Sequence, residues 1–190
     1  MSMPSIDTVL SQLKAGNERY VNDQVTAEGR DSTRRAELTT GQAPWAIVLS
    51  CADSRVAPEV LFDTGLGELF VVRVAGNVAN TSSIDSIEYA VAHIGTPVIV
   101  VLGHQACGAV GAALAGGDNG YNLNHLLAHI APAIAESDEK TSDAVVTTNA
   151  QLTANDLVER SAIIRDAVAG GKLRIVPAVY SLDTGTVTYH

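Results

Sequence analysis

Cysteine is scarce in this 190-residue sequence, as are lysine, methionine and aromatic side chains. The only cysteines, Cys51 and Cys107, rule out a scaffold held by several disulfides, and a chain this long can bury a core without such staples. Lysine occurs only as Lys14, Lys140 and Lys172. With 12 basic against 21 acidic residues the formal net charge is −9, which argues against a general binder of nucleic acid or of anionic membranes. No apolar run approaches the roughly 20 residues of a membrane helix. Between Met1 and Tyr20 no basic start precedes an apolar block, so a cytoplasmic location is expected rather than secretion. In that compartment two cysteines point to metal binding or redox chemistry more than to a stable disulfide.

What is abundant is apolar substance: 46% of residues are hydrophobic and 17% charged, the balance of a compact folded chain. Trp45-Ala-Ile-Val-Leu-Ser50 and Val98-Ile-Val-Val-Leu102 are continuous apolar runs bounded by turn residues, the pattern of strands buried on both faces of a parallel sheet. Leu69 to Val74 predicts another strand. Arg174–Tyr180 and Thr186–Tyr189, on either side of Asp183-Thr-Gly185, predict a closing pair, with Pro177 placing the first toward an edge or a bulge. Ile6, Val9, Leu10 and Leu13 recur at helical spacing behind Ser5. They predict an amphipathic arm that must bury its stripe on the main body or on a partner subunit. Further helices are expected at Pro58–Phe62, from Ser83 or Asp85 to Ile94, at Cys107–Ala115, at Leu123–Ile134 with an interruption by Pro132 and, as one long element, at Ala144–Ala169. The fold class is α/β: one domain over 1–190, with a helical arm and connector in 1–40 and a mostly parallel sheet flanked by helices in 41–190.

The chemistry gathers where strands end. Cys51-Ala-Asp-Ser-Arg55 follows the first run directly, and His104-Gln-Ala-Cys107 follows the third. Open α/β sheets bind ligands at the carboxyl ends of their strands. Zinc takes sulfur and nitrogen ligands tetrahedrally, at about 2.3 and 2.0 Å. His104 and Cys107 can grip one ion from a tight turn, with Cys51 arriving from the adjacent strand. Three protein ligands leave one position open, as in catalytic zinc sites. Asp53 can fill that position or pair with Arg55 as a fixed acceptor beside it. Because two thiolates cancel the charge of Zn²⁺, an activity that rises through mildly alkaline pH is expected. A redox role for the two cysteines ranks below metal binding, since no Cys-x-x-Cys motif is present.

These stretches, together with Arg73-Val-Ala-Gly-Asn77, Glu88-Tyr-Ala-Val91 and Gly103-His-Gln-Ala-Cys-Gly108, resemble the β-class carbonic anhydrases. Leu13–Tyr20 is similar to that family's helical arm. The resemblance implies a zinc enzyme that interconverts carbon dioxide and bicarbonate by attack of zinc-bound hydroxide. Cys51, His104 and Cys107 would be the metal ligands, Asp53 a fourth ligand only in a closed state, and Asp53 with Arg55 the catalytic dyad. It further implies substrate contacts from Gln42 and the Gly108 N–H, and an apolar pocket lined by Phe70 and Tyr89 at a dimer interface. Family members form dimers, often paired into tetramers. Some carry a tryptophan, part of an inhibitory bicarbonate site, where this chain has Val48, so the resting form with water on zinc is expected. The usual Arg-Asn-x sequence reads Arg73-Val74-Ala75 here. Relatives with the same ligands hydrolyse carbon disulfide or carbonyl sulfide, and a non-catalytic zinc- or bicarbonate-binding module is the alternative from another class.

Overall fold

Valine, isoleucine and leucine fill the strand-forming segments without alternation, because helices cover both faces of the sheet. The computed structural model describes residues 3–190; Met1 and Ser2, where the expected domain begins, lie outside the described residues. Its strands are β1 (Ala46–Ser50), β2 (Leu69–Arg73), β3 (Val98–His104), β4 (Arg174–Tyr180) and β5 (Val187–Tyr189). They stand in the order β2-β1-β3-β4-β5, the first four parallel and β5 antiparallel to β4. Every residue of β1 and β3 is buried. Pro177 sits in β4 with its carbonyl accepting the His190 N–H. Its missing donor therefore faces the short β5 side and costs the β3 ladder nothing.

In chain order the helices are α1 (Ile6–Val21), α2 (Ser32–Glu37), α3 (Pro58–Leu61), α4 (Thr81–Tyr89), α5 (Gly108–Ala115), α6 (Tyr121–Ala128), α7 (Ala131–Glu136), α8 (Ser142–Arg160) and α9 (Ala162–Ala169). On one face of the sheet, α1 begins at Ser5, whose hydroxyl accepts the Thr8 N–H. Its Val9 and Leu13 are wholly buried among Val48, Val98, Val100 and Phe62. Of the two placements open to the arm, the chain thus takes its own body. Burying two such side chains contributes about 3–6 kcal/mol. The contact is very close at Gly16, where a Cβ would lie 1.9 Å from the Phe62 carbonyl oxygen. The next residue, buried Asn17, donates to the Leu61 and Gly185 carbonyls and accepts the Val187 N–H, pinning the arm to α3 and to the C-terminal strand.

The opposite face is covered by α4, α8 and α9, whose Ile84, Ile87, Ala154, Leu157 and Ile164 pack on Ile47, Leu49, Ile99 and Val101. Here several expected boundaries change. The single long helix over Ala144–Ala169 is two helices, broken at Ser161. That hydroxyl accepts the Ile164 N–H and donates to Glu88 Oε1 at 2.5 Å, a cap in the middle of an unbroken apolar period. Helix α4 starts earlier than Ser83 or Asp85 suggested, because Asn80 caps it by accepting the Ser83 N–H. It continues as a wider turn through Ala90–Ile94 to Gly95, in the left-handed conformation glycine favours. The interruption expected in the Leu123–Ile134 segment falls at His129–Ile130, which leaves Pro132 in the first turn of α7.

Candidate metal centre

The pairing of β1 with β3 sets Ser50 opposite Leu102, so Cys51 one residue on and His104 two residues on stand together at the carboxyl ends of the two strands. Between His104 and Cys107 the chain must reverse from strand to helix. It does so through Ala106 at φ 53°, a left-handed conformation that costs a non-glycine residue about 1–2 kcal/mol. The Ala106 carbonyl is held at 3.3 Å by Arg55 Nη2. Cys107 then forms the N-cap of α5. The result brings Cys51, His104 and Cys107 together, all buried, with donor atoms within 4.8 Å of one another.

The sulfurs of Cys51 and Cys107 are 4.0 Å apart and both cysteines are free. Two thiolates on one tetrahedral zinc would stand about 3.8 Å apart, given bonds of about 2.3 Å. His104 Nδ1 bonds the Gln105 carbonyl at 2.9 Å, which makes Nδ1 the protonated nitrogen and frees Nε2. That Nε2 is buried with no hydrogen-bond partner. Leaving such an atom unpaired costs about 1–3 kcal/mol, and a cation would remove the cost. The donor set therefore fits a divalent metal in both spacing and chemistry. As a thiol–thiolate pair the two cysteines share one proton: donation from Cys107 drives Cys51 well below its ordinary value against the effect of burial, and the Cys51 sulfur pushes Cys107 up. A divalent cation would discharge both.

Asp53 lies at the rim. Arg55 grips it through Nε to Oδ1 at 2.9 Å and Nη2 to Oδ2 at 2.7 Å, and the Arg55 backbone N–H adds a bond to Oδ1 at 2.9 Å. The Arg55 guanidinium holds this carboxyl well below the usual carboxylate range, outweighing desolvation. Asp53 Oδ2 is 3.8 Å from His104 Nε2, so the fixed carboxylate borders the same space as the ligand atoms. A cleft of about 650 Å³, lined by Arg55, Gln105, Ala106, Asp143 and Asp183, opens beside the pair.

The other sequence-derived residues divide into near and far. Gly108 is the first residue of α5, directly after Cys107, and its N–H is one of those that no helix carbonyl takes. Gln42 is exposed in the segment before β1, and the five residues of that strand, at about 3.3 Å each, separate it from Cys51. Phe70 pairs with Ile47 in the middle of edge strand β2, and its ring lies 6.3 Å from that of Tyr89, which is 52% exposed. These three are not brought to their own chain's sulfurs. Two contributors stood in the Arg73-Val-Ala-Gly-Asn77 stretch of the sequence without a role at the metal centre assigned to them. Arg73 donates to the Cys51 carbonyl at 3.0 Å and the Asp53 carbonyl at 2.6 Å, and the Gly76 N–H donates to Cys51 Sγ at 3.3 Å. Their signal was positional: both lie at the carboxyl end of β2, the strand beside β1.

Comparison with known proteins points the same way. A family model described as carbonic anhydrase matches residues 46–187. The chain is 40% identical to carbonic anhydrase 2 of Mycobacterium tuberculosis over 96% of its length and 93% of that protein's. Among solved structures it is similar to a Coccomyxa β-carbonic anhydrase in complex with acetazolamide, with a TM-score of 0.75 and 29% identity over 95% of this chain and 85% of that one. A tetrameric β-carbonic anhydrase of Sordaria macrospora shares the fold with a TM-score of 0.76, at 22% identity over 96% of both chains.

Proposed function

This chain belongs to the β-class carbonic anhydrase family of enzymes, and from that footing we propose that it catalyses the reversible hydration of carbon dioxide to bicarbonate and a proton. The observation that carries this reading is the convergence of Cys51, His104 and Cys107 beside a carboxylate that Arg55 holds at the rim. These three residues would hold zinc. When bound, zinc supplies a Lewis acid able to make a water molecule acidic near neutral pH.

The chain's own residues would do the rest. Asp53, kept ionised by Arg55, can only accept hydrogen bonds, so a water beside it is oriented with a hydrogen toward Oδ2 and a lone pair toward the incoming carbon. Arg55 also keeps Asp53 from turning inward to the metal. The Gly108 N–H, at the positive end of α5, offers a donor to the oxygen on which charge develops. Gln42, Phe70 and Tyr89 would come from a second copy of the chain, since they sit away from their own sulfurs and since exposed Tyr89 and half-buried Phe70 form an aromatic pair at the β2 side of the sheet. A homo-oligomer is therefore part of the proposal. An apolar wall suits carbon dioxide, which offers little to hydrogen-bond. Among the described residues no helix is long and apolar enough to cross a membrane. Stopped-flow measurement of carbon dioxide hydration, with metal analysis of the same preparation, tests the reading. Zinc-dependent hydration that rises between about pH 6.5 and 9 is expected, and zinc-loaded protein without hydration activity would refute it.

A further inference from the structure

The sulfur of Cys51 depends on a loop that would not hold its shape alone. Gly76, whose N–H donates to that sulfur, has φ 73°, and the next residue, Asn77, has φ 46°. Two successive left-handed residues need something outside the loop to keep them there. Space is part of it: a Cβ on Gly76 would approach Ile130 Cδ1 to 2.8 Å. The other part is polar. Asn149, 2% exposed on the face of α8 that packs toward β3, donates from Nδ2 to the Gly76 carbonyl at 2.9 Å. A carbonyl oxygen only accepts, so the amide orientation is fixed by its partner.

We propose that Asn149 is a positioning residue for the metal centre: by clamping the Gly76 carbonyl it keeps the Gly76 N–H aimed at Cys51 Sγ. The inference rests on Cys51 being a metal ligand. A donor to a coordinated thiolate spreads its charge and fixes its direction, and partners of this kind change metal affinity by about 10–100-fold when removed. Asn149 touches neither substrate nor metal. It acts 73 positions away in sequence, through one residue whose two peptide planes meet at the Gly76 Cα.

The test compares wild-type protein with Asn149→Asp, which keeps the shape but loses the donor. Asn149→Ser, which introduces no buried charge, replaces it if the first variant does not fold. Leu157→Ala, on the same helix but in the opposite-face core, serves as a variant destabilised without touching Gly76. Zinc retention is measured by competition with a chelator, and the thiolate-to-metal absorption band is recorded after cobalt replaces zinc. The expected result is zinc loss about 10–100-fold easier in the Asn149 variant, with a shifted cobalt band, while Leu157→Ala retains zinc like the wild type. Equal retention and an unchanged band in a folded Asn149 variant overturn the proposal and leave the metal centre standing. Zinc held no better by wild type than by Cys51→Ser overturns the metal centre and this proposal with it.

Discussion

Two carboxylates, Asp53 and Asp63, lie before and after the short helix α3, and each is paired with arginine. At Asp63 both carboxylate oxygens accept from residues on a distant stretch of the chain, and the side chain is fully buried. Oδ2 receives Arg19 Nε at 2.7 Å, the Thr26 N–H at 2.9 Å and the Thr26 hydroxyl, while Oδ1 receives the Ala27 N–H at 3.1 Å with Arg30 at 3.6 Å. Burial alone would push this carboxyl up, but those donors hold it well below the usual range. A cavity of about 440 Å³ adjoins it, yet the Asp63 side chain exposes no surface and is held by donors from three residues. Asp53 takes all three of its hydrogen bonds from one partly exposed residue, Arg55, and turns Oδ2 toward a buried, unpaired imidazole nitrogen. Strong pairing therefore distinguishes neither site. What separates a fastening from a reactive group is the capacity left over.

The sharpest break in the comparison is made on the unpaired side. Cys51→Ser is expected to reduce zinc content and carbon dioxide hydration to background, read by metal analysis and stopped-flow. Next, Asp53→Asn should lower kcat/KM by about 10²–10⁴-fold, the range for a positioned proton acceptor, with zinc content and urea-unfolding midpoint unchanged. The mirror change, Asp63→Asn, keeps a residue tolerant of φ 44° but removes the charge. It should cost about 1–3 kcal/mol in urea unfolding while zinc-normalised hydration stays at the wild-type level. Acid sharpens this last effect. Because the folded pKa of Asp63 is depressed, the unfolded chain binds the extra proton, and stability from this group is complete above the ordinary aspartate value of about 4. The wild-type advantage over Asp63→Asn should therefore be full at pH 7 and shrink as pH falls below about 5, measured by unfolding midpoints at each pH.

Residues close in sequence carried most of what was legible beforehand. Strands β1 and β3 announced themselves through unbroken apolar runs, and the cysteine motifs followed directly at their ends, so the donor trio could be named before any geometry. Position in the sheet was needed to see the support around it. Arg73 and Gly76 stood in a stretch that the resemblance marks, but their bonds to the Cys51 loop come from the neighbouring strand's end, and Asn149 acts from α8, where nothing in its local sequence separates it from any polar helix residue. Asp63 is hidden for the same reason, since its donors lie 33 or more positions away. The break at Ser161 was missed because hydrophobic spacing continues across it, while the bond that ends α8 goes to Glu88 on another helix.

The contact between Gly16 and Phe62 carries a constraint on ancestry. Only a hydrogen atom fits between helix and carbonyl, so α1 cannot slip by a residue without driving a methyl group into the backbone. Insertions and deletions in descendants of this gene should be tolerated ahead of Ile6 or after Val21 and purged in between. Any subunit that lends this helix to a neighbour must deliver it in unchanged alignment.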